Sequence, residues 1–286
     1  MSGAVIVAGY ALRESVRRRV FVVVLLLTLL FLGLFAFATA KVFERSGSFT
    51  TGRNIGTLDT TGLVAATMLG LGMFAILFLA TVLAVFLTLG AVRGDAERGL
   101  LQPLVVRPLG RTSLLLGRFA AAAAVCVAYV LAVYAATTLI VHQASGRWPD
   151  TVAGPGLALA AGSVVIVALA LLGSVFLSAT ANGIVIFMLF GAGLVAGLMQ
   201  SIADAIGSPS LGQIAHVVAI ALPFEALYQA GLHALTADQS GFTGALIQLG
   251  PFGSSHAGGP LLELWTAAYV GLAGVVSAWG FARRDL

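Results

Sequence analysis

Charge is what this 286-residue chain has least of. Only 9% of its side chains are Asp, Glu, Lys or Arg, against about 25% in a soluble domain. Fifteen basic and 11 acidic residues cannot clothe a water-facing surface on a chain this long, which excludes a soluble fold. Lysine is reduced to Lys41, set between Ala40 and Val42. No Gly-Lys-Ser/Thr phosphate loop exists, so the chain cannot hydrolyse ATP by that device. The single cysteine, Cys126, rules out a disulfide framework and a multi-cysteine metal site. His142, His216, His233 and His256 are scattered without ligand spacing, so no metal site is expected. Ionisable groups avoid the long apolar runs: Glu225 and Glu263 fall at edges and Asp204 closes a run. Ion-driven carriers and voltage sensors place such groups inside the bilayer, and intramembrane enzymes need a nucleophile with a base or a metal. A non-catalytic chain without a cofactor of its own is expected.

What remains is apolar: 59% of the residues, with a mean hydropathy of +1.05. The 35 glycines follow no collagen-like period. The composition describes a polytopic membrane protein. A crossing helix needs roughly 20 apolar residues, and only helices or closed barrels satisfy their backbone in lipid. Charge-free runs place six all-α spans at about 20–40, 63–92, 119–141, 156–178, 184–203 and 263–282. The fourth and fifth share one long run, and the turn between them is expected over Ser178 to Gly183, because Asn182-Gly183 favours a turn. The segment Ile214 to Leu235 is apolar but carries Pro223 and Glu225 near its middle. A central carboxylate costs about 2.5–3.5 kcal/mol on insertion scales, and proline breaks the helix ladder. Helices lying against the outer face or dipping partway in are expected there, within an extracytoplasmic segment 204–262.

Basic residues set the orientation. Arg13, Arg17, Arg18 and Arg19 precede the first span. Arg93, Arg98, Arg107, Arg111 and Arg118 lie between the second and third, and Arg283 and Arg284 follow the last. The other side keeps Lys41, Arg45, Arg53 and Arg147. Both termini are therefore expected in the cytoplasm, with Arg13, Arg17, Arg18, Arg19, Arg118, Arg283 and Arg284 as interface anchors. Val5, Ala8, Leu12 and Val16 recur at helical spacing opposite Arg13, Glu14 and Arg17, which describes an amphipathic interfacial helix over residues 1–19. The net charge of +4 follows from topology, and nucleic-acid binding is not expected.

The stretch 93–118 is the most charged in the chain. Asp95 and Glu97 interleave with Arg93 and Arg98; Leu100, Leu101, Leu104 and Val105 form an apolar stripe; Pro103 and Pro108 bracket a short element. Such a mixed surface can seat a short helix in a partner's groove. Gly193 and Gly197 give span five a small-xxx-small spacing, and Gly70, Gly72, Gly271 and Gly274 thin other spans for close helix approach.

Glu97-Arg98-Gly99, Leu104, Arg107-Pro108, Arg111 and Gly117-Arg118 together resemble the signature of ABC-2 type ABC transporter permeases. The subgroup nearest in character includes copper-enzyme maturation and antibiotic-export permeases. The likeness extends to the arginine-rich entry, to Pro223-Phe224-Glu225 and to the Arg283-Arg284-Asp285-Leu286 ending. It implies a six-span permease in the bacterial cell membrane that pairs with a second permease copy, as a homodimer, and with two separate ATP-binding subunits, which hold the ATP and magnesium. It further implies coupling to the ATPase through Arg93, Asp95, Glu97, Arg98, Leu101, Arg107, Pro108 and Arg111, with residues 1–19 as a connecting helix. Arg118 stands where lysine is commoner. The long segment after Ala203 leaves room for an extracytoplasmic accessory partner. The alternative is a membrane scaffold or sensor whose loop docks a cytoplasmic partner that is not an ATPase.

Overall fold

A computed structural model describes residues 19–49, 60–88, 111–149, 151–236 and 258–283. Eight helices carry them: α1 (Arg19–Phe49), α2 (Thr60–Thr88), α3 (Arg111–Ser145), α4 (Ala153–Phe176), α5 (Ala179–Ile206), α6 (Pro209–Ala221), α7 (Pro223–Thr236) and α8 (Pro260–Ala282). No strand occurs among the described residues. Six of the helices (α1 to α5 and α8) are long and apolar enough to cross a bilayer. The remaining two are 13 and 14 residues long, too short to cross alone, and they bend by 107° at their junction.

Burial orders the bundle around α4. Two thirds (67%) of the span windows of α2 and α4 are buried, against 17% for α1 and α8. Helix α4 touches α2, α3, α5, α7 and α8, and packs most extensively against α7. Its buried residues include Leu159, Val165, Ile166, Val167 and Ala170, and it carries no charge. A helix apolar on all sides is stable only with neighbours or lipid all round, and α4 has neighbours. Helices α1 and α8 present Leu26, Leu30, Leu34, Leu264, Leu272 and Val275 outward, side chains suited to lipid.

Several hydroxyls in the spans are satisfied locally, although Thr39, Tyr134 and Thr138 bury oxygens without a hydrogen-bond partner among the described residues. Thr81, Thr88, Ser163, Ser174 and Ser277 each donate to a carbonyl three or four residues back, which removes a bare hydroxyl from an apolar medium. Thr28 also joins two spans. Its hydroxyl donates to the Val24 carbonyl at 2.7 Å, so the 2.6 Å contact with Tyr129 has the tyrosine as donor. That bond ties α1 to α3 through the kind of interhelical contact that holds membrane bundles.

The α4–α5 junction differs from the expected Asn-Gly turn. The chain breaks at Leu177 and Ser178, and Asn182 and Gly183 lie inside α5. Ser178 is extended and its hydroxyl accepts from the Ala181 amide at 3.4 Å, a serine cap that starts the helix. Asn182 is fully buried and its amide nitrogen donates to the Ala170 carbonyl at 2.8 Å. The asparagine thus fastens α5 across to α4, and Gly173 leaves the room that its side chain fills.

Between Ile214 and Leu235 the chain does not lie wholly on the outside of the bundle. Helices α6 and α7 form a bent pair whose second arm enters the bundle, where Phe224 is buried among Gly162, Gly193 and Phe190. Glu225 accordingly does not sit at an edge. It is 2% exposed, because the proline that precedes it turns the chain inward and starts a new helix.

The two glycines of α5 receive this arm. A methyl group on Gly193 would stand 2.8 Å from Phe224 Cζ, and one on Gly197 would strike Glu225 Oε1. The small-xxx-small spacing therefore serves contact within the chain. Overpacking of this kind costs about 1–3 kcal/mol. We expect Gly193→Val to lower the melting temperature of the detergent-solubilised protein by several degrees. Gly191→Val should leave it unchanged, because nothing lies within 4 Å of a side chain added there. Equal melting temperatures for the two variants would contradict the groove.

Candidate functional site

The bundle has two dissimilar ends. At one, the start of α3 and the end of α8 meet: Leu115, Leu171, Val175 and Phe281 form a buried cluster with Phe119 and Ala278 packed on it. This end carries Arg118 on α3, and Arg283, whose guanidinium lies 4.0 Å from the centre of the Trp279 ring. Such stacking suits an interface, where the ring anchors at headgroup level. Beside the cluster lies an apolar cavity of about 370 Å³, bounded by Leu116, Phe119, Leu171, Val270, Gly274 and Ala278 among others. Nothing lies within 4 Å of the positions where Gly271 and Gly274 would carry a methyl group, so the two glycines keep this space open.

The expected coupling residues Arg93, Asp95, Glu97, Arg98, Leu101, Arg107 and Pro108 lie outside the described residues, as do Arg13, Arg17, Arg18 and Arg284. Arg111 opens α3 and Arg19 opens α1. Residues 111–118, read from sequence as loop, are the first turns of α3. Arg118 thus belongs to a continuous helix that is long and apolar enough to cross a membrane. Of the expected anchors, the structure thus brings Arg118 and Arg283 to one end of the bundle.

At the opposite end the bent pair α6–α7 closes the bundle, and its broken backbone is repaired from both sides. The last carbonyls of a helix have no partner within it. Trp265 Nε1 on α8 donates to the Ile220 carbonyl at 2.9 Å, and the Tyr269 hydroxyl donates to the Ala221 carbonyl at 2.9 Å. The Thr151 hydroxyl, just before α4, donates to the Ala234 carbonyl of α7 at 2.6 Å. Tyr228 is directed at the Gly70 carbonyl of α2 at 3.5 Å. Trp148 stacks on His142 with ring centres 4.1 Å apart, and together with Trp265 it marks the second interface. His216 and His233 lie on α6 and α7, in the segment where helices were expected, and His256 lies outside the described residues.

The polar heart of the hairpin is Glu225 with Gln229, one turn apart on α7. Gln229 Nε2 donates to Glu225 Oε1 at 3.0 Å, and both side chains press on Gly197 of α5. Sequence reasoning marked Glu225 as a misfit in an apolar segment but did not pair it with Gln229. The i, i+4 spacing of Glu225 and Gln229, directly after a proline and beside a glycine pair in the preceding span, was the available signal.

Six helices long and apolar enough to cross a bilayer, an apolar cavity at one end and a bent helix pair at the other define a multi-pass membrane protein. The chain belongs to the ABC-2 family of transporter proteins, whose family model ("ABC-2 family transporter protein") matches residues 5–286. No curated protein matches it at a significant level. Membership identifies a membrane permease of the ABC-2 type, a class that works with an ATP-binding subunit.

If the clips from α8 hold α6 in place, removing both donors should loosen it. A buried carbonyl left unpaired costs about 1–3 kcal/mol, and local opening follows that cost. Trp265→Phe with Tyr269→Phe should speed amide exchange across 209–221 by about tenfold or more, while exchange in α4 stays unchanged. Uniform acceleration over the whole chain would show that the clips act on global stability instead.

Proposed function

We propose that this chain is the membrane-spanning, non-catalytic half of an ATP-driven exporter, working as two permease copies with two ATP-binding subunits in the bacterial cytoplasmic membrane. The observation that carries the reading is family membership along nearly the entire chain, in a sequence whose only lysine leaves no phosphate loop. A transporter of this kind that cannot hydrolyse ATP must receive the work of hydrolysis from a partner. With both termini and the 93–118 segment in the cytoplasm, the excess of arginines faces inward as the positive-inside rule requires. The hairpin end, whose described helices carry no Lys or Arg between Ala153 and Ala282, then faces outward.

In this reading the segment bearing Glu97 and Arg107 seats on the ATPase with ATP and magnesium held there. Closure of the two ATPase subunits moves that segment as a rigid lever. Arg111 and Arg118 are the first residues of the lever that belong to α3, so displacement enters the bundle along that helix. The cavity beside Phe119 and Leu171 is apolar on nearly every wall. An apolar, uncharged interior favours lipophilic, peptide-like or drug-like cargo over bare ions, whose desolvation it could not offset.

Co-expression with an ATP-binding subunit of the ABC class should give a stable complex. Cutting one partner from a buried interfacial charge pair costs about 2–5 kcal/mol, so Arg107→Ala or Glu97→Gln should weaken the complex at least about tenfold and abolish cargo-stimulated hydrolysis in proteoliposomes. Leu34→Ala, on the lipid-facing side of α1, should change neither. Full ATPase stimulation and transport in the Arg107→Ala protein would overturn the coupling assignment. A complex formed only with a protein lacking ATPase activity would identify a scaffold.

A further inference from the structure

The hairpin buries a carboxyl group that the proposed transport cycle does not use. Glu225 Oε1 accepts from Gln229 Nε2 at 3.0 Å. Left over are Glu225 Oε2 and Gln229 Oε1, both buried and both without a hydrogen-bond partner among the described residues. With the carboxyl ionised, these are two acceptors facing no donor. An ionised carboxylate enclosed with a single neutral donor is strongly disfavoured in an apolar setting.

Among the described residues, no Lys or Arg lies on the helices packed against α7. Helices α2 and α4, packed against α7, contain no Asp, Glu, Lys, Arg or His. Helix α5 contributes Asp204 as its sole ionisable residue, α6 His216, and α8 Glu263 with Tyr269. On α7 itself, Tyr228 is directed at the Gly70 carbonyl, and His233 lies eight residues on, roughly 12 Å along the helix. None of these brings a positive charge to the carboxyl.

One proton resolves the count. Bound to Glu225 Oε2, it makes that oxygen a donor, and Gln229 Oε1 is the acceptor that lacks one. A second hydrogen bond from the acid to that oxygen, beside the one Gln229 Nε2 already donates, would satisfy both orphaned atoms. The pair is tightly held on the α5 side: the Glu225 carboxyl carbon stands 3.2 Å from where a methyl group on Gly197 would be, and Gln229 Nε2 stands 2.7 Å from it. A proton occupies no volume.

We propose that Glu225 and Gln229 form a proton-binding site that pins the hairpin into the glycine groove of α5, and that loss of the proton releases the hairpin. On release the O–H bond breaks, the electron pair stays on the carboxylate and the proton passes to water at the hairpin end. The carboxylate is left facing the Gln229 oxygen without a donor and gains hydration by leaving the groove. The packed form holds the proton that the released form gives up. Packing is therefore favoured at low pH and weakens as pH rises. This device goes beyond the exporter reading and stands apart from the contacts at Glu97 and Arg107.

The test uses the full chain in lipid nanodiscs without an ATPase, so its outcome is independent of the transport assignment. Infrared difference spectra between the wild type and Glu225→Gln should show a carboxylic-acid carbonyl band at about pH 6. Carboxylate bands should replace it as pH rises. A carboxylate signature at about pH 6 overturns the proposal. The second readout places Ala226→Cys on the hairpin and follows its labelling by a water-soluble thiol reagent; Cys126 is buried and serves as the unlabelled background. The labelling rate, divided by that of the same protein with Glu225→Gln, should climb by up to about tenfold per pH unit once the proton leaves. A ratio that stays flat to about pH 9 overturns the release step. Gln229→Leu provides a variant that does not alter the carboxyl. It should label fast throughout the range, and slow labelling like that of the parent would show that the acid–amide pair does not hold the hairpin.

Discussion

A backbone carbonyl left bare in hydrocarbon costs several kcal/mol, and this fold meets that constraint at one place above all. Six helices satisfy their own backbone. The hairpin α6–α7 cannot, because Pro223 follows the end of one helix and a 107° bend separates the two arms. The rest of the molecule supplies what is missing: an indole and a phenol from α8, a hydroxyl from the approach to α4, and a two-glycine groove on α5. The bundle holds its buried hub α4 in contact with α7 because these four repairs allow α7 to be there at all.

The membrane character, the all-helical class and the number of crossing helices were legible from the placement of charge. A bilayer penalises charge so steeply that its absence over twenty residues is a nearly complete signal. The bent hairpin was legible only as a conflict, an apolar segment interrupted by Pro223 and Glu225, and sequence left it open whether that segment would lie against the bundle or enter it. The outcome depended on Gly193 and Gly197, thirty residues upstream, and no local window joins the two. The Asn-Gly signal misled for a related reason. Turn propensity describes an exposed dipeptide, whereas Asn182 finds its partner, the Ala170 carbonyl, on the neighbouring helix. Tertiary pairing outweighed the local preference.

The site was legible in part. Arg118 and Arg283 could be assigned to one end by counting crossings, since an even number of spans separates them from a common side. Glu225 and Gln229 could not, because their importance is geometric: a carboxyl and an amide one turn apart matter only when a glycine surface closes over both. The expected coupling residues from Arg93 to Pro108 rest on the resemblance of a motif and on family membership. The described helices meet that stretch at Arg111, where helix α3 begins.

Helix α3 has a mechanical meaning of its own. It runs without interruption from Arg111 to Ser145, roughly 50 Å of rod, and ends at the stacked pair His142 and Trp148 beside the hairpin. Stiff rods do not attenuate rotation. A tilt of about five degrees imposed at the arginine end would swing the tryptophan end by about 4 Å, a distance fixed by the helix rise alone. An unbroken helix of this length joins the two ends of the bundle, and a displacement at one end needs no relay of side chains to reach the other.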